Sequence, residues 1–167
     1  MDIRKQCIKL TKERLEESFN EEHEVIELIK LYDKTERFLL QIPEKNELRT
    51  AAKSSMKKNE QQINSILKKI SHRLLESAGP IISARLIRNA GSLKKLSSMP
   101  SSKIQLLGAE KALFTHLKTG SKAPKHGIIF NHFSIKESEN KGKAARKLAS
   151  KIAIAARVDY FKKNKIT

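Results

Sequence analysis

The chain contains no tryptophan and one cysteine, Cys7. A lone thiol closes no intramolecular disulfide, and it rules out a Cys/His zinc framework. Aromatic residues are few, two Tyr and six Phe in 167 residues. The longest apolar run, Ile152 to Ala156, is five residues, against the roughly 20 that a membrane helix needs. The first residues, MDIRKQC, lack the apolar stretch of a secretory signal. Negative charge is scarce as well: 18 Asp and Glu face 35 Lys and Arg, for a net charge of +17. These absences point to a soluble intracellular protein of one domain, or of one compact domain with an elongated element. Its positive field favours a polyanionic partner, nucleic acid ahead of an anionic membrane.

That charge is unevenly placed. Residues 1–76 hold 16 basic and 14 acidic residues, a net of +2, and residues 77–167 hold 19 and 4, a net of +15. The first part has one proline, Pro43, and no glycine. It reads as two helices joined by a turn at 41–46, with Pro43 near the start of the second, where its missing N–H costs little. In the second helix Leu48, Ala52, Met56, Asn59, Ile63, Ile66, Ile70 and Leu74 recur every three or four residues and define one apolar seam. Asn59 either fixes register in that seam or lies frayed at the surface. In the first helix Leu15, Phe19, Ile26, Ile29, Tyr32 and Leu39 form a looser seam, interrupted by the polar stretch 20–24. Helices joined by so short a turn run antiparallel. The expectation is an antiparallel coiled-coil hairpin over 1–76. Two ordinary amphipathic helices of a globular domain are the alternative.

The basic part opens on Ser77-Ala78-Gly79-Pro80, a helix stop followed by a start. A helix over 81–88 follows, then a break at 90–93 and a loop at 98–102. Ser101 or Ser102 is placed to cap a helix over roughly 102–118. Gly108 falls inside that helix, where glycine marks a close approach or a break, and Phe114 is expected in the core. Residues 119–127 form a basic loop, 134–142 a polar flexible stretch, and about 141–162 a last helix. Leu148, Ile152 and Ala155 or Ala156 should face its core, with Lys143, Lys147 and Lys151 as a cationic stripe outside. With no convincing strand repeat, the fold class is all-α: a coiled-coil hairpin over 1–76 and a compact basic helical domain over 77–167.

Little here resembles a catalyst. The basic part holds four carboxylates, Glu110, Glu137, Glu139 and Asp159, and it has no phosphate-cradling GxxxxGK loop. Cys7 has no histidine near it in sequence, and His126 and His132 have no third metal ligand. Neither a catalytic residue, a metal nor a cofactor is expected. A helix-turn-helix that binds DNA ranks last among the binding readings, because the connection over 91–101 is longer than the usual three- or four-residue turn.

The run Gln105 to Phe114, QLLGAEKALF, resembles the signature of the Nop domain. Three further stretches match that family in order: Ala84-Arg85-Leu86-Ile87 with Ala90-Gly91-Ser92-Leu93, then Pro124-Lys125-His126-Gly127, then Gly142 to Arg146 running on to Ala155-Ala156-Arg157-Val158-Asp159. The resemblance covers about residues 77–161. Its Gly108-Ala109-Glu110-Lys111 form is similar to archaeal scaffolds of box C/D ribonucleoproteins, relatives of a spliceosomal assembly protein.

The resemblance implies a non-enzymatic scaffold that binds a kink-turn guide RNA together with its kink-turn-binding protein, as in 2′-O-methylation particles and rRNA processing. It implies RNA contacts by Gln105, Gly108, Ala109, Glu110, Lys111, Lys118, Lys122 and Lys125. His126 would stack on an unpaired nucleotide, and Lys143, Arg146 and Lys147 would extend the surface. It implies a homodimer or paralogue heterodimer through the hairpin, on Leu48, Ala52, Met56, Asn59, Ile63, Ile66 and Ile70. Arg157 and Asp159 are expected in structural hydrogen bonds. Family scaffolds hold the methyltransferase fibrillarin through a separate N-terminal domain. Nothing here resembles that domain, so fibrillarin recruitment is not expected, and the chain reads as a truncated form or a short paralogue. The location is cytoplasmic if archaeal, nuclear or nucleolar if eukaryotic. The competing readings are a coiled-coil adaptor and a spliceosomal-type assembly factor without a methyltransferase.

Overall fold

The computed structural model describes the backbone of residues 3–41 and 47–164 and the side chains of residues 20–41 and 48–162. Two long helices come first, α1 (Ile3–Leu39) and α2 (Glu47–Ile70). Five shorter ones follow: α3 (His72–Ala78), α4 (Pro80–Ala90), α5 (Leu93–Ser98), α6 (Ser101–Leu106) and α7 (Glu110–Thr119). A 3-10 turn (Ile128–Asn131), α8 (Phe133–Lys136) and α9 (Lys141–Asn164) complete the order, and no strand occurs among the described residues. The fold is all-α, as the sequence predicts.

α1 and α2 form the antiparallel pair. The end of α2 lies beside the first half of α1, with Lys69 Nζ 3.8 Å from Glu21 Oε1. Val25 and Ile29 of α1 are buried with Ile63, Ile66, Leu67 and Ile70 of α2. Each fully buried aliphatic side chain of this kind contributes about 1.5–3 kcal/mol. Asn59 is buried too, which removes the frayed alternative, and its Nδ2 has no hydrogen-bond partner. The turn around Pro43, and the side chains of Cys7, Leu15 and Phe19, lie outside the described residues. The polar stretch 20–24 does not interrupt α1. There α1 runs past the basic domain, and Glu22 Oε2 accepts from the Leu93 N–H at the start of α5, 3.2 Å away. The expected seam of α2 ends at Ile70 rather than Leu74, because the chain breaks helix at Ser71 (φ −155°) and restarts as α3.

α9 is the axis of the basic domain, packed against α3, α5 and α6. Ala145, Ala149, Ala153 and Ala156 are buried along one of its faces. These small side chains let the neighbouring helices approach, and Leu148 and Ile152 fill the space between. Two charged residues at its far end tie down neighbouring termini. Asp159 accepts from the N–H groups of Arg73 (3.2 Å) and Leu74 (2.8 Å), and Arg157 donates to the carbonyls of Ser97 (3.2 Å) and Met99 (3.4 Å). Both therefore take the structural role expected of them. The buried residues form one continuous core from Val25 to Ala156.

Three local expectations are corrected. The single helix over 102–118 is two, α6 and α7, parted at Leu107-Gly108-Ala109 with Gly108 at φ +86°. The break is fixed by strand-like bonds from the next loop: Gly127 N–H to Gln105 O (2.8 Å) and Ile128 N–H to Leu107 O (2.9 Å). No serine side chain caps α6, since Pro100 holds the cap position and Ser101 is its first residue. The stretch 134–142 is not simply polar and loose. α8 covers its first residues, Ile135 is fully buried there, and the His132 ring accepts from the Ser134 N–H near the start of α8.

Candidate nucleic-acid interface

The break at Gly108 decides where the basic residues point. A Cβ on Gly108 would lie 2.5 Å from Ile128 Cγ1, and one on Gly127 would lie 2.1 Å from Leu107 O. Only glycines let the loop 119–127 close onto the α6–α7 junction. Gln105 reinforces the closure, its Nε2 donating to Lys125 O at 2.7 Å. Glu110 folds back to accept from the Gly108 N–H at 2.7 Å, completing the start of α7. Both side chains therefore hold the shape of the loop. Gly108 is exposed and Ala109 half-buried at the same corner.

The loop also meets the start of α9. Lys125, His126, Glu139, Asn140, Lys141 and Gly142 line an open cavity of about 480 Å³. The His126 ring stacks on Phe130, centroids 4.2 Å apart and planes 16° off parallel, and Lys141 Nζ lies 5.6 Å from the Phe130 centroid. Asn140 Oδ1 accepts from the Lys143 N–H at 3.0 Å and caps α9. Lys111, Lys118, Lys122, Lys125, Lys143, Arg146 and Lys147 are all exposed. Among the described residues none of them pairs with a carboxylate. Of the residues singled out in sequence, the structure brings Lys125, His126 and Gly142 into one cavity, with Gln105 and Gly108 behind the loop. Lys111 and Lys118 stand on α7, which buries none of its own residues.

Phe114 is not in the core; it is 65% exposed, and Leu117 is 71% exposed. Helical period placed Phe114 inward only on the assumption of one straight helix. With the chain turned at Gly108, α7 projects its apolar face outward, beside an open cavity of about 340 Å³ lined by Leu106, Leu107 and Leu113 among others.

The seam residues assigned to dimerisation divide into two groups. Asn59, Ile63, Ile66 and Ile70 are buried within the chain, and Leu48 is 59% exposed, with Ala52 and Met56 between. Leu40 and Phe38, at the same end of the hairpin, are also exposed.

Sequence reading missed one cluster. Asp33 of α1 accepts from Arg85 Nε (2.9 Å) and Nη2 (2.7 Å) of α4 and pairs with Arg88 Nη1, while Glu36 takes a second bond from Arg85 Nη2 (2.7 Å). Burial alone would lower the Arg85 pKa, but the hydrogen bonds and charges of Asp33 and Glu36 outweigh it and raise it. The cluster locks the hairpin to the basic domain. Its sequence signal was two arginines three apart on an otherwise apolar helix. Among the described residues no three His, Cys, Asp or Glu side chains gather as metal ligands, and no helix is long and apolar enough to cross a membrane.

The described residues thus form an all-α hairpin that leads into a compact helical domain with a cationic loop. The chain belongs to the Nop family, whose model, described as "snoRNA binding domain, fibrillarin", matches residues 3–167. It is 60% identical over 85 residues to an uncharacterised NOP5 family protein of Methanocaldococcus jannaschii, covering 50% of this chain and 20% of that one. It is 49% identical over 96 residues to nucleolar protein 56 of Dictyostelium discoideum, covering 57% of this chain and 18% of the relative. The chain thus spans about one fifth of the curated relatives it matches. A chain of the solved fibrillarin/Nop5p complex shares its fold at a TM-score of 0.63 and 27% identity, covering 96% of this chain and 70% of that one.

Proposed function

We propose that the protein is a non-enzymatic scaffold that grips a kink-turn RNA of box C/D type together with its kink-turn-binding protein. The observation that carries this reading is the pairing of two unlike surfaces on one continuous segment. The loop 119–127 presents Lys122 and Lys125, with His126 stacked on Phe130 just beyond it, and α7 immediately before it presents Lys118, Phe114 and Leu117. Lysines suit phosphate, a ring suits a splayed base, and exposed Phe and Leu suit a protein face. A composite target of RNA and protein uses both.

The assignments follow from that geometry. Lys111, Lys118, Lys122, Lys125, Lys143, Arg146 and Lys147 neutralise phosphates. His126, held on one side by Phe130, offers its other side to an unpaired nucleotide. Gln105, Gly108, Ala109 and Glu110 act by shaping the loop. The hairpin over 1–76 joins two scaffold copies, and Leu48 with Phe38 and Leu40 offers the exposed apolar end for it. A fibrillarin-type partner is part of the proposal, supported by the fold shared with the fibrillarin/Nop5p complex. The compartment proposed is the archaeal-type cytoplasm, in line with the archaeal relative.

The test is a titration of a box C/D kink-turn RNA and of duplex DNA of equal length across a salt series. The RNA should be preferred, with affinity falling linearly in log–log form as several counterions are released. Replacing Lys122 and Lys125 by Ala should flatten the slope by about two counterions. Equal affinity for both nucleic acids would contradict the proposal.

A further inference from the structure

The outward face of α9 changes character along its length. Lys143, Lys147 and Lys151 stand on one stripe, and the same stripe continues as Ile154, Val158 and Phe161. Ile154 is 62% exposed and Phe161 56%. Along this half α9 packs beside α3, and two open hollows meet there. One, of about 560 Å³, lies among Lys69, His72, Arg73 and Lys162. The other, of about 240 Å³, lies among Arg73, Lys151, Ile154 and Val158, and the two share Arg73 and Glu76. The groove carries two carboxylates. Asp159 is engaged on the N–H groups of Arg73 and Leu74, and Glu76 lies 3.7 Å from His72 Nδ1. The rest of its charge is positive.

We propose that this groove docks an acidic amphipathic helix of a protein partner. The apolar members decide against RNA. Ile154 and Val158 have no ring on which a base can stack, and they would strip water from any phosphate laid across them. A helix with leucines on one face and glutamates flanking them satisfies both halves of the groove: apolar side chains against Ile154 and Val158, carboxylates against Arg73, Lys151 and Lys162. From Lys151 to Lys162 the groove runs about 16 Å, enough for three turns of the partner. Val158 lies about 22 Å along α9 from Lys143, so the groove leaves the basic loop free and does not depend on its proposed role.

The probe is a designed 14-residue peptide with leucines at i, i+4, i+7 and i+11 and glutamates beside them, titrated into the full chain and followed by two-dimensional NMR. The expected result is saturable binding with shifts centred on Arg73, Ile154 and Val158. Ile154→Asp, an exposed position, should weaken binding at least tenfold and leave kink-turn RNA affinity unchanged. Arg73→Glu should weaken it as well, and a peptide carrying Lys in place of the facing Glu should recover part of the loss. The proposal is overturned if the peptide fails to bind, if a scrambled peptide of the same composition binds equally, or if an RNA duplex moves the Ile154 and Val158 signals instead.

Discussion

Replacing Gly108 by Ala attacks the corner on which the interface rests. The backbone there is at φ +86°, a left-handed conformation that costs an L-residue about 1–2 kcal/mol. The new methyl would also lie 2.5 Å from Ile128 Cγ1 and 2.9 Å from Ile128 Cδ1. Overpacking of that kind costs about 1–3 kcal/mol. Together the loss is roughly 2–5 kcal/mol, or about 5–15 °C in Tm for a chain of this size. Gly120→Ala is the internal control. Its backbone is left-handed at φ +66°, yet nothing lies within 4 Å of the added carbon, so only the backbone cost of about 1–2 kcal/mol applies. Urea denaturation of both variants separates the two effects. A double-mutant cycle with Ile128→Ala, which removes both clashing atoms, should recover about 1–3 kcal/mol of coupling. RNA affinity of Gly108→Ala should fall even where it remains folded, because α7 and the loop are turned from each other. Equal destabilisation by Gly108→Ala and Gly120→Ala, with no coupling to Ile128, would refute the reasoning.

Three further outcomes are expected. Asp33→Ala leaves Arg88 without its carboxylate and Arg85 with Glu36 alone, their side chains 27% and 14% exposed. It should cost about 2 kcal/mol by urea denaturation, less than a fully buried pair would. Asn59→Leu removes a buried amide whose Nδ2 has no partner and should raise stability by about 1 kcal/mol, while loosening the register of the hairpin as seen by inter-helix distance measurements. The His132 pKa is held below its usual 6.5 by burial and by Lys151. The folded state therefore favours the neutral ring, stability is unaffected by this group above 6.5, and it falls as pH drops below that value while the unfolded chain takes up the proton. His132→Asn should show a smaller loss between pH 7 and 5 in thermal melts, and an identical loss would sink the assignment.

The legible parts of the fold were those written in short-range pattern. The seam over Asn59, Ile63, Ile66 and Ile70, the start at Pro80 and the inward face of α9 at Leu148 and Ile152 follow from helical period and from glycine and proline chemistry, and each stands where the sequence places it. What failed was continuity. The pattern around Gly108 suits one helix, and only the distant bonds from Gly127 and Ile128 break it, which turned Phe114 from an expected core residue into an exposed one. Likewise the polar stretch 20–24 reads as a weak seam until α5 supplies an N–H for Glu22. The Asp33–Arg85–Arg88 cluster joins residues more than fifty positions apart, beyond any local pattern. In the candidate interface, residue types and their order were legible. The division of labour was not: the role of Gln105 and Glu110 in holding the loop, and of Phe130 in holding His126, depends on contacts across the fold.

The central claim is that the loop 119–127 and α7 read RNA and protein together. The most direct measurement is an electrophoretic mobility titration of the chain on a box C/D kink-turn RNA, free and already bound by its kink-turn-binding protein, with wild type and His126→Ala. The account predicts a supershift on the preformed complex at concentrations where the free RNA is unshifted, weakened about tenfold by the substitution, in keeping with about 1–3 kcal/mol for one stacked base. Equal binding to free RNA, preformed complex and duplex DNA, indifferent to His126→Ala, would contradict it.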